Sequence, residues 1–338
     1  MSLDDLSTVT FTYYNVLNLV ESPGIYVGDG SAQIFQYGSL EKPIDQSRGI
    51  IRNIHREQPH FLATIETESL DSMEKLSAID KADGRFAKSL SDLYFKVLIP
   101  GNDGRGINIG LWLDRRLRVD FIVQSFRELT GPYEGKDVKL FSRDFPVVEI
   151  RDAGAQVGSK PRFIWAAFHL KSQRMDTEGD HSDIDFHLKR ELQWNGQLDI
   201  LKKHYQDVYG EKIPIIFGGD GNGDFRTYPE FVRTKSAGFI ETLDAIQVRK
   251  DDPRRLTQSY FPKNQPPTFS QLDVILLDKS TVARGAILDA HTVVDTDESG
   301  KVRPLPATYQ ERKGYSSDHA LNTVVLDREK FIGKESVH

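Results

Sequence analysis

The sequence predicts a mixed α/β (α+β) protein whose chemistry gathers at the ends of packed strands. Three observations lead there. Short runs rich in β-branched, aromatic and apolar residues recur along the chain, among them 9–20, 162–170 and 272–277. Between several of them lie segments whose apolar residues return every three or four positions, as on one face of a helix. Polar groups sit at or beside the ends of the apolar runs, where a rigid strand can hold a side chain against a ligand.

In order along the chain, residues 9–20 (VTFTYYNVLNLV) read as the first strand. Asn15 interrupts it. An amide inside a buried strand needs hydrogen-bond partners, so it is a structural bridge or the edge of a site. Residues 21–46, with Gly24, Gly28, Gly30 and Gly38, read as a loop excursion, and Ile50, Ile51 and Ile54 suit a helix that stops before Pro59. Residues 60–66 (HFLATIE) form the next strand, ending on Glu66. A polar helical stretch, 68–92, puts Leu70, Met73 and Leu76 on one apolar face. Strand pairs follow at 94–99 with 107–113 and at 117–126 with 146–151, and the turn inside the first pair carries Arg105. Residues 162–170 (RFIWAAFHL) are a strongly apolar strand with His169 near its end. The acidic, histidine-bearing run 176–187 reads as a solvated loop, with an accessory metal site as the alternative. Leu188, Leu192, Leu198, Leu201, Tyr205 and Val208 then give a helix with one buried stripe, ended at Gly210.

The most informative stretch is Pro214-Ile215-Ile216-Phe217-Gly218-Gly219-Asp220-Gly221-Asn222-Gly223-Asp224. A short buried strand gives way to glycines, and a sharp turn there presents Asp220 and Asn222 two apart in a loop that can approach a ligand closely. One oxygen ligand for a hard cation and one neutral group beside a phosphate is the chemistry that suits them. Asn-Gly and Asp-Gly are also hairpin dipeptides. A calcium loop of the EF-hand kind fails, because Phe225 and Phe231 stand where glycine and glutamate are required. Downstream, Thr227 to Glu230 matches a capping box opening a helix that stops at Gly238. Residues 272–277 form a strand with Asp273, and Ser317-Asp318-His319 precedes a last strand, 320–326; the tail after Asp327 reads as peripheral.

Composition narrows the function classes. Fifty acidic residues against 44 basic ones give a net charge of -6, so no general cationic coat for nucleic acid exists and a polyanion must meet a local patch or a metal. With no cysteine, disulfides and thiolate zinc sites are excluded. No apolar run approaches the roughly 20 residues of a membrane span. Met1-Ser2-Leu3-Asp4-Asp5 lacks a basic region followed by an apolar one, so the cytoplasm is the default expectation, with a mature secreted form shorn of its signal peptide as the other. The 338 residues allow two domains at roughly 150 residues each without requiring them.

Glu66, His169, Asp220, Asn222, Asp318 and His319 at strand ends, with Asn15 and Asp273 inside strands, combine carboxylates for Mg²⁺, histidines for proton transfer and amides for orientation. That is equipment for hydrolysing a phosphate ester. Tyr14-Asn15-Val16-Leu17-Asn18, Pro59 to Glu66, Phe168-His169-Leu170, Gly219 to Asn222, Leu272 to Ile275 and Ser317 to His319 resemble the ordered motifs of the endonuclease/exonuclease/phosphatase superfamily, in the manner of deoxyribonuclease I.

The resemblance implies one domain over residues 1–338, with a core at about 9–327. The fold it implies is a four-layer sandwich of two mostly antiparallel sheets face to face with helices outside. It implies Glu66 as the main Mg²⁺ ligand, with Mn²⁺ or Ca²⁺ as alternatives, and Asp318 as a helper with metal or water. It further implies Asp220 and Asn222 flanking the phosphate, His319 as general base oriented by Asp273, His169 bonding the phosphate or leaving group, and Asn15 in support. Asn108 is the candidate to orient His169. Two departures stand out: Leu321 replaces the usual proline after the final histidine, and Leu17 replaces an aspartate of abasic-site endonucleases. Arg105, Lys171, Arg174 and Arg226 are candidates to hold substrate phosphates. The reading is therefore a monomeric, Mg²⁺-dependent phosphodiesterase, a nuclease acting on nucleic acid. A phosphomonoesterase or sphingomyelinase-type phosphodiesterase is the alternative, and a binding module on the same scaffold is the second.

Overall fold

The computed structural model describes residues 1–19, 25–28, 31–34, 42–103, 106–133, 136–156, 158–172, 186–262 and 265–333. Along the chain, β1 (Thr8–Leu19) leads to a small hairpin of β2 (Ile25–Gly28) and β3 (Ser31–Ile34), then to helix α1 (Ile44–Glu57). β4 (Phe61–Thr67), helices α2 (Leu70–Asp83) and α3 (Leu90–Leu93), and the antiparallel pair β5 (Tyr94–Ile99) and β6 (Asn108–Asp114) follow. After β7 (Val119–Gln124) come a second hairpin, β8 (Thr130–Tyr133) with β9 (Lys136–Lys139), and the strands β10 (Val147–Asp152) and β11 (Phe163–His169). Helix α4 (Phe186–Ile200) runs on through a π-helical stretch, Leu201–Gln206, before β12 (Ile215–Asp220). The remaining strands are β13 (Phe239–Glu241), the hairpin of β14 (Gln258–Tyr260) and β15 (Thr268–Ser270), β16 (Asp273–Asp278), β17 (Ile287–Val293) and β18 (Leu321–Asp327).

Two six-stranded sheets form the frame, one ordered β17-β18-β1-β4-β6-β5 and the other β13-β16-β12-β11-β10-β7. Period-2 alternation packs them face to face. Val9, Phe11 and Tyr13 of β1, Phe61 and Ala63 of β4, Phe163, Trp165 and Ala167 of β11, and Ile275 and Leu277 of β16 share one buried core. The opposite face of the first sheet packs Tyr14, Leu62 and Trp112 against α1 and α2 through Ile50, Ile54 and Met73. The opposite face of the second packs Ile164, Ala166 and Phe217 against Trp194, Leu198 and Tyr205. Four layers result, as the resemblance implied. Among the described residues no helix is long and apolar enough to cross a membrane.

Several local expectations are corrected. Gly218 and Gly219 lie inside β12, so the sharp turn begins only after Asp220. Their small size serves close packing: a Cβ on Gly218 would meet the Tyr13 ring at 2.9 Å, and one on Gly219 (φ 148°) would meet the Phe168 carbonyl oxygen at 1.9 Å. Thr227 caps nothing. A 3-10 turn at Pro229–Phe231 and a short helix at Arg233–Ser236 replace the longer one expected, because Glu230 is drawn into the core by Arg190, at 2.7 Å. Leu70, Leu188 and Val208 are exposed. The buried stripe on α4 runs instead through Arg190, Trp194 and Leu198 to Leu201 and Tyr205, and the π-helical stretch turns Val208 out of line. The tail after Asp327 is not wholly peripheral, since Phe331 is buried against Phe11 and Phe163. Hairpins β2–β3 and β8–β9 carry no apolar alternation and were not legible as strands.

Candidate active site

Strand register gathers the polar residues. β11 and β12 are parallel with His169 opposite Asp220, and β12 and β16 are antiparallel with Asp220 opposite Asp273. Each of the three continues the inward-facing series of its strand (Trp165 and Ala167, Ile216 and Gly218, Ile275 and Leu277), so all three look into the gap between the sheets. Asn15 does the same from β1 after Phe11 and Tyr13, and it spans the gap. Its Nδ2 donates to Asp220 Oδ2 at 3.0 Å, and its Oδ1 accepts from the Leu17 amide at 3.0 Å.

His319 enters from the loop before β18. Its amide donates to Ser317 Oγ, and the Ser317 hydroxyl donates to the Asn15 carbonyl at 2.7 Å. Its Nδ1 lies 2.7 Å from Asp273 Oδ2, while its Nε2 is 4.0 Å from Asp220 Oδ2. Burial alone would lower this imidazole, but the carboxylates of Asp273, Asp220 and Asp318 outweigh it and hold His319 well above an ordinary histidine. Burial in turn pushes Asp220 up to about 6, with Asp273 adding repulsion, and raises Asp273 and Glu66 as well. His169 Nε2 is 3.6 Å from Asp220 Oδ2 and 3.9 Å from Glu66 Oε1.

Glu66 reaches this cluster by a bulge. Its position in the alternation of β4 is out of phase with Phe61 and Ala63, but the ladder slips between Ile65 and Thr67, and Glu66 takes φ 65°. Its Oε2 accepts from the Asn18 amide at 3.0 Å. Asn222, also left-handed at φ 50°, donates its amide N–H to Asp220 Oδ1 at 2.7 Å and its Nδ2 to the Leu170 carbonyl at 3.0 Å.

The donor set fits a hard divalent cation. Ligand atoms of Glu66, His169 and Asp220 lie within 4.8 Å of one another, as do those of Asp220, Asp273 and His319. Among the described residues the buried carboxylate oxygens Asp273 Oδ1 and Asp318 Oδ1 have no hydrogen-bond partner. Oxygen-rich surroundings with raised carboxylates are what such an ion relieves.

Other candidates lie elsewhere or are already engaged. Asp318 Oδ2 pairs with Arg312 at 3.1 Å. Asn108 donates its two amide protons to the Glu68 and Gly106 carbonyls and accepts the Gly101 N–H on Oδ1. Arg226 holds Asp224 through two hydrogen bonds, with Nη2 2.6 Å from Oδ2. The Lys171 main-chain N–H donates to Gln193 Oε1 at 2.8 Å, a bond that does not involve its ammonium. Arg105, Arg174 and nearly all of the acidic run 176–187 lie outside the described residues.

Sequence reasoning missed two buried cations beside the cluster. Arg143, 2% exposed, donates to the Leu170 carbonyl and pairs with Asp103, and its charge opposes the rise of Glu66. Lys42 is buried and donates to the Leu17 carbonyl at 2.9 Å; burial pushes it down to about 7, against the pull of Asp318 and Glu66. Neither sits in a motif or at a strand end, so no local signal marks it.

No protein-family model matches the sequence, and no curated protein matches it. Solved structures match its shape. D. rerio TDP2 complexed with a single-strand DNA product aligns at a TM-score of 0.57 and 15% identity, covering 95% of this chain and 99% of that one. An endonuclease/exonuclease/phosphatase family protein from Bacteroides thetaiotaomicron aligns at 0.52 and 14% identity over 94% of each chain. A mannosyl-6-phosphatase from the same organism aligns at 0.52 and 16% identity, over 94% of this chain and 99% of that one.

Proposed function

We propose that this protein, which has the fold of the endonuclease/exonuclease/phosphatase superfamily, is a divalent-metal-dependent hydrolase of phosphate esters, and that it acts as a phosphodiesterase on nucleic acid. The observation that carries the reading is the buried relay Asp273–His319–Asp220 beside Glu66 and His169, with His319 Nδ1 at 2.7 Å from its carboxylate. Isolated surface pairs do not build such a set, and burying the carboxylates of Asp220 and Asp273 side by side costs stability that a catalytic role would account for.

In this reading Asp273 fixes the His319 tautomer, proton on Nδ1, and leaves Nε2 as the atom that accepts a proton from the attacking water. A cation held by Glu66, with Asp220 and Asp318 as further oxygen donors, would be Mg²⁺ by preference and would neutralise the carboxylates and the charge that develops on the phosphoryl oxygens. With that charge offset, the His319 imidazole would fall toward the range where it takes a proton near neutral pH. Asp220 and Asn222 flank the phosphate, Asn15 holds Asp220 in place, and His169 bonds the phosphate or the leaving oxygen.

A substrate panel with Mg²⁺, Mn²⁺ and Ca²⁺, each set against chelator, tests this. Cleavage of DNA or RNA that needs added metal and falls steeply with salt is the expected result, because each cation on a backbone phosphate releases counterions. Turnover of a small phosphomonoester with none of DNA or RNA selects the monoesterase. That reading has one structural point in its favour: Arg226, a candidate backbone contact, is spent on Asp224. Metal-dependent hydrolysis of nothing in the panel sinks the proposal.

A further inference from the structure

Glu66 stands at a double irregularity in the first sheet. The parallel ladder of β1 and β4 slips between Asn15 and Leu19, and the antiparallel ladder of β4 and β6 slips between Ile65 and Thr67, so matching bulges lie side by side. On β1 the bulge is made by two successive left-handed residues, Leu17 (φ 48°) and Asn18 (φ 51°), neither of them glycine. Such a turn does not persist on its own preference and must be held by its surroundings. Four bonds hold it. Asn15 Oδ1 takes the Leu17 amide, the Glu66 carboxylate takes the Asn18 amide, the Leu19 carbonyl takes the Glu68 amide, and Lys42 Nζ donates to the Leu17 carbonyl at 2.9 Å.

Lys42 is the unexpected member. It is 7% exposed, it comes from the segment leading into α1, and its stem lines a cavity of about 160 Å³ between Leu19, Ile44, Ser47, Ser72 and Leu76. A lysine is seldom buried without a task. Among the described residues the Leu17 oxygen is its hydrogen-bond acceptor, and the amine can donate to that carbonyl in either protonation state, more strongly when protonated. The Leu17 carbonyl and the Asn18 amide belong to one peptide plane, so fixing the oxygen fixes the direction of the N–H. That N–H grips Glu66 Oε2.

We propose that Lys42 is a positioning residue for Glu66: by clamping the Leu17–Asn18 peptide it aims the amide that holds the Glu66 carboxylate at the cation site. This rests on the function proposed above for what Glu66 binds, but the clamp itself is a statement about the protein alone. It also makes an unusual sign prediction. Removing a cation beside carboxylates should by charge alone tighten binding of a divalent ion; if Lys42 acts by position, removing it loosens binding.

Lys42→Met keeps the length of the stem and removes the donor. Two readouts apply, neither of which uses turnover: exchange of the Asn18 amide followed by NMR, and binding of Mn²⁺ alone followed by its electron-spin resonance. The expected result is Asn18 exchange faster by roughly tenfold, the order set by one lost hydrogen bond, with the amides of residues 10–14 unchanged and with weaker Mn²⁺ binding. Unchanged Asn18 exchange overturns the clamp. Faster exchange with equal or tighter Mn²⁺ binding overturns its role in positioning Glu66. Should Lys42→Met not fold, Lys42→Gln, too short by one bond to reach the Leu17 oxygen, takes its place with the same outcomes. A wild-type protein that binds no Mn²⁺ sinks the proposed metal-dependent function, while the exchange comparison still decides the clamp.

Discussion

Replacing Asp273 by asparagine keeps the shape of the side chain and removes its charge, which isolates the partner of His319 from every other part of the site. Asp273 is 2% exposed, and its Oδ2 is 2.7 Å from His319 Nδ1. A hydrogen bond to a charged partner contributes about 1.5–3 kcal/mol, and about 1.36 kcal/mol of transition-state stabilisation is tenfold in rate. If that bond strengthens as His319 gains its proton, Asp273→Asn lowers kcat/KM by about 10- to 150-fold. The sign of the pH effect is also set. Asp273 is one of the carboxylates that hold His319 up, so its loss drops the imidazole, and the limb of the profile due to His319 moves to lower pH. In stability two effects oppose: the burial that raises Asp273 is relieved, while His319 loses the carboxylate that holds it up. The assay is kcat/KM against pH on bis-p-nitrophenyl phosphate with saturating Mg²⁺, beside a thermal melt of each variant. A variant that retains wild-type kcat/KM across the profile would refute the reasoning, because then Nδ1 needs no carboxylate.

Four further outcomes are expected. Glu66→Gln should lose most hydrolysis and bind divalent metal more weakly, with chelator abolishing wild-type turnover; full activity in either condition contradicts the assignment. His319→Ala should lower kcat by at least about a hundredfold on any leaving group, whereas His169→Ala should recover in part on p-nitrophenyl esters; the reverse pattern exchanges the two histidines' roles. Gly219→Ala should cost at least about 2 kcal/mol, read as a fall in urea midpoint, because the new Cβ would lie 1.9 Å from the Phe168 oxygen; an unchanged midpoint shows that the strands can part. His291 is raised above 6.5, chiefly by its hydrogen bond to Glu57, with burial opposing. Its stabilisation is thus full below about 6.5 and lost as pH rises through the folded value, so the Tm gap between wild type and His291→Gln should shrink on going from mildly acid to alkaline buffer.

The large strands were legible because burial on one or both faces leaves a pattern. β1, β4, β11, β12 and β16 each pair an apolar series with the inter-sheet core, and that same phase tells which polar residue faces the gap. Asp220 follows Ile216 and Gly218 at intervals of two, and Asp273 precedes Ile275 and Leu277 likewise. The glycines were the ambiguous signal. Gly218 and Gly219 read as a turn from sequence because a turn and a close approach both demand a missing side chain, and only the positions of Tyr13 and Phe168 separate the two. The Glu230 error has the same root: a capping box is a local proposal, and buried Arg190 outbid it from another helix.

Glu66 shows why part of the site stayed hidden even when its residue was named. The motif placed it at a strand end, but strand phase alone would turn its carboxylate away from His169 and Asp220. The bulges that correct the phase involve Leu17 and Glu66, residue types that seldom take a left-handed backbone, and Asn18, whose enrichment there does not by itself mark a bulge. Such conformations are stable only through bonds made after folding, here from Asn15, Lys42 and the Glu66 carboxylate itself. Lys42 is 24 residues from Glu66 along the chain, in a segment with no motif, and its relevance comes from a single carbonyl on a third element. A pattern read along one strand cannot contain a bond between three, so the geometry of the carboxylate had to come from the folded chain although its identity did not.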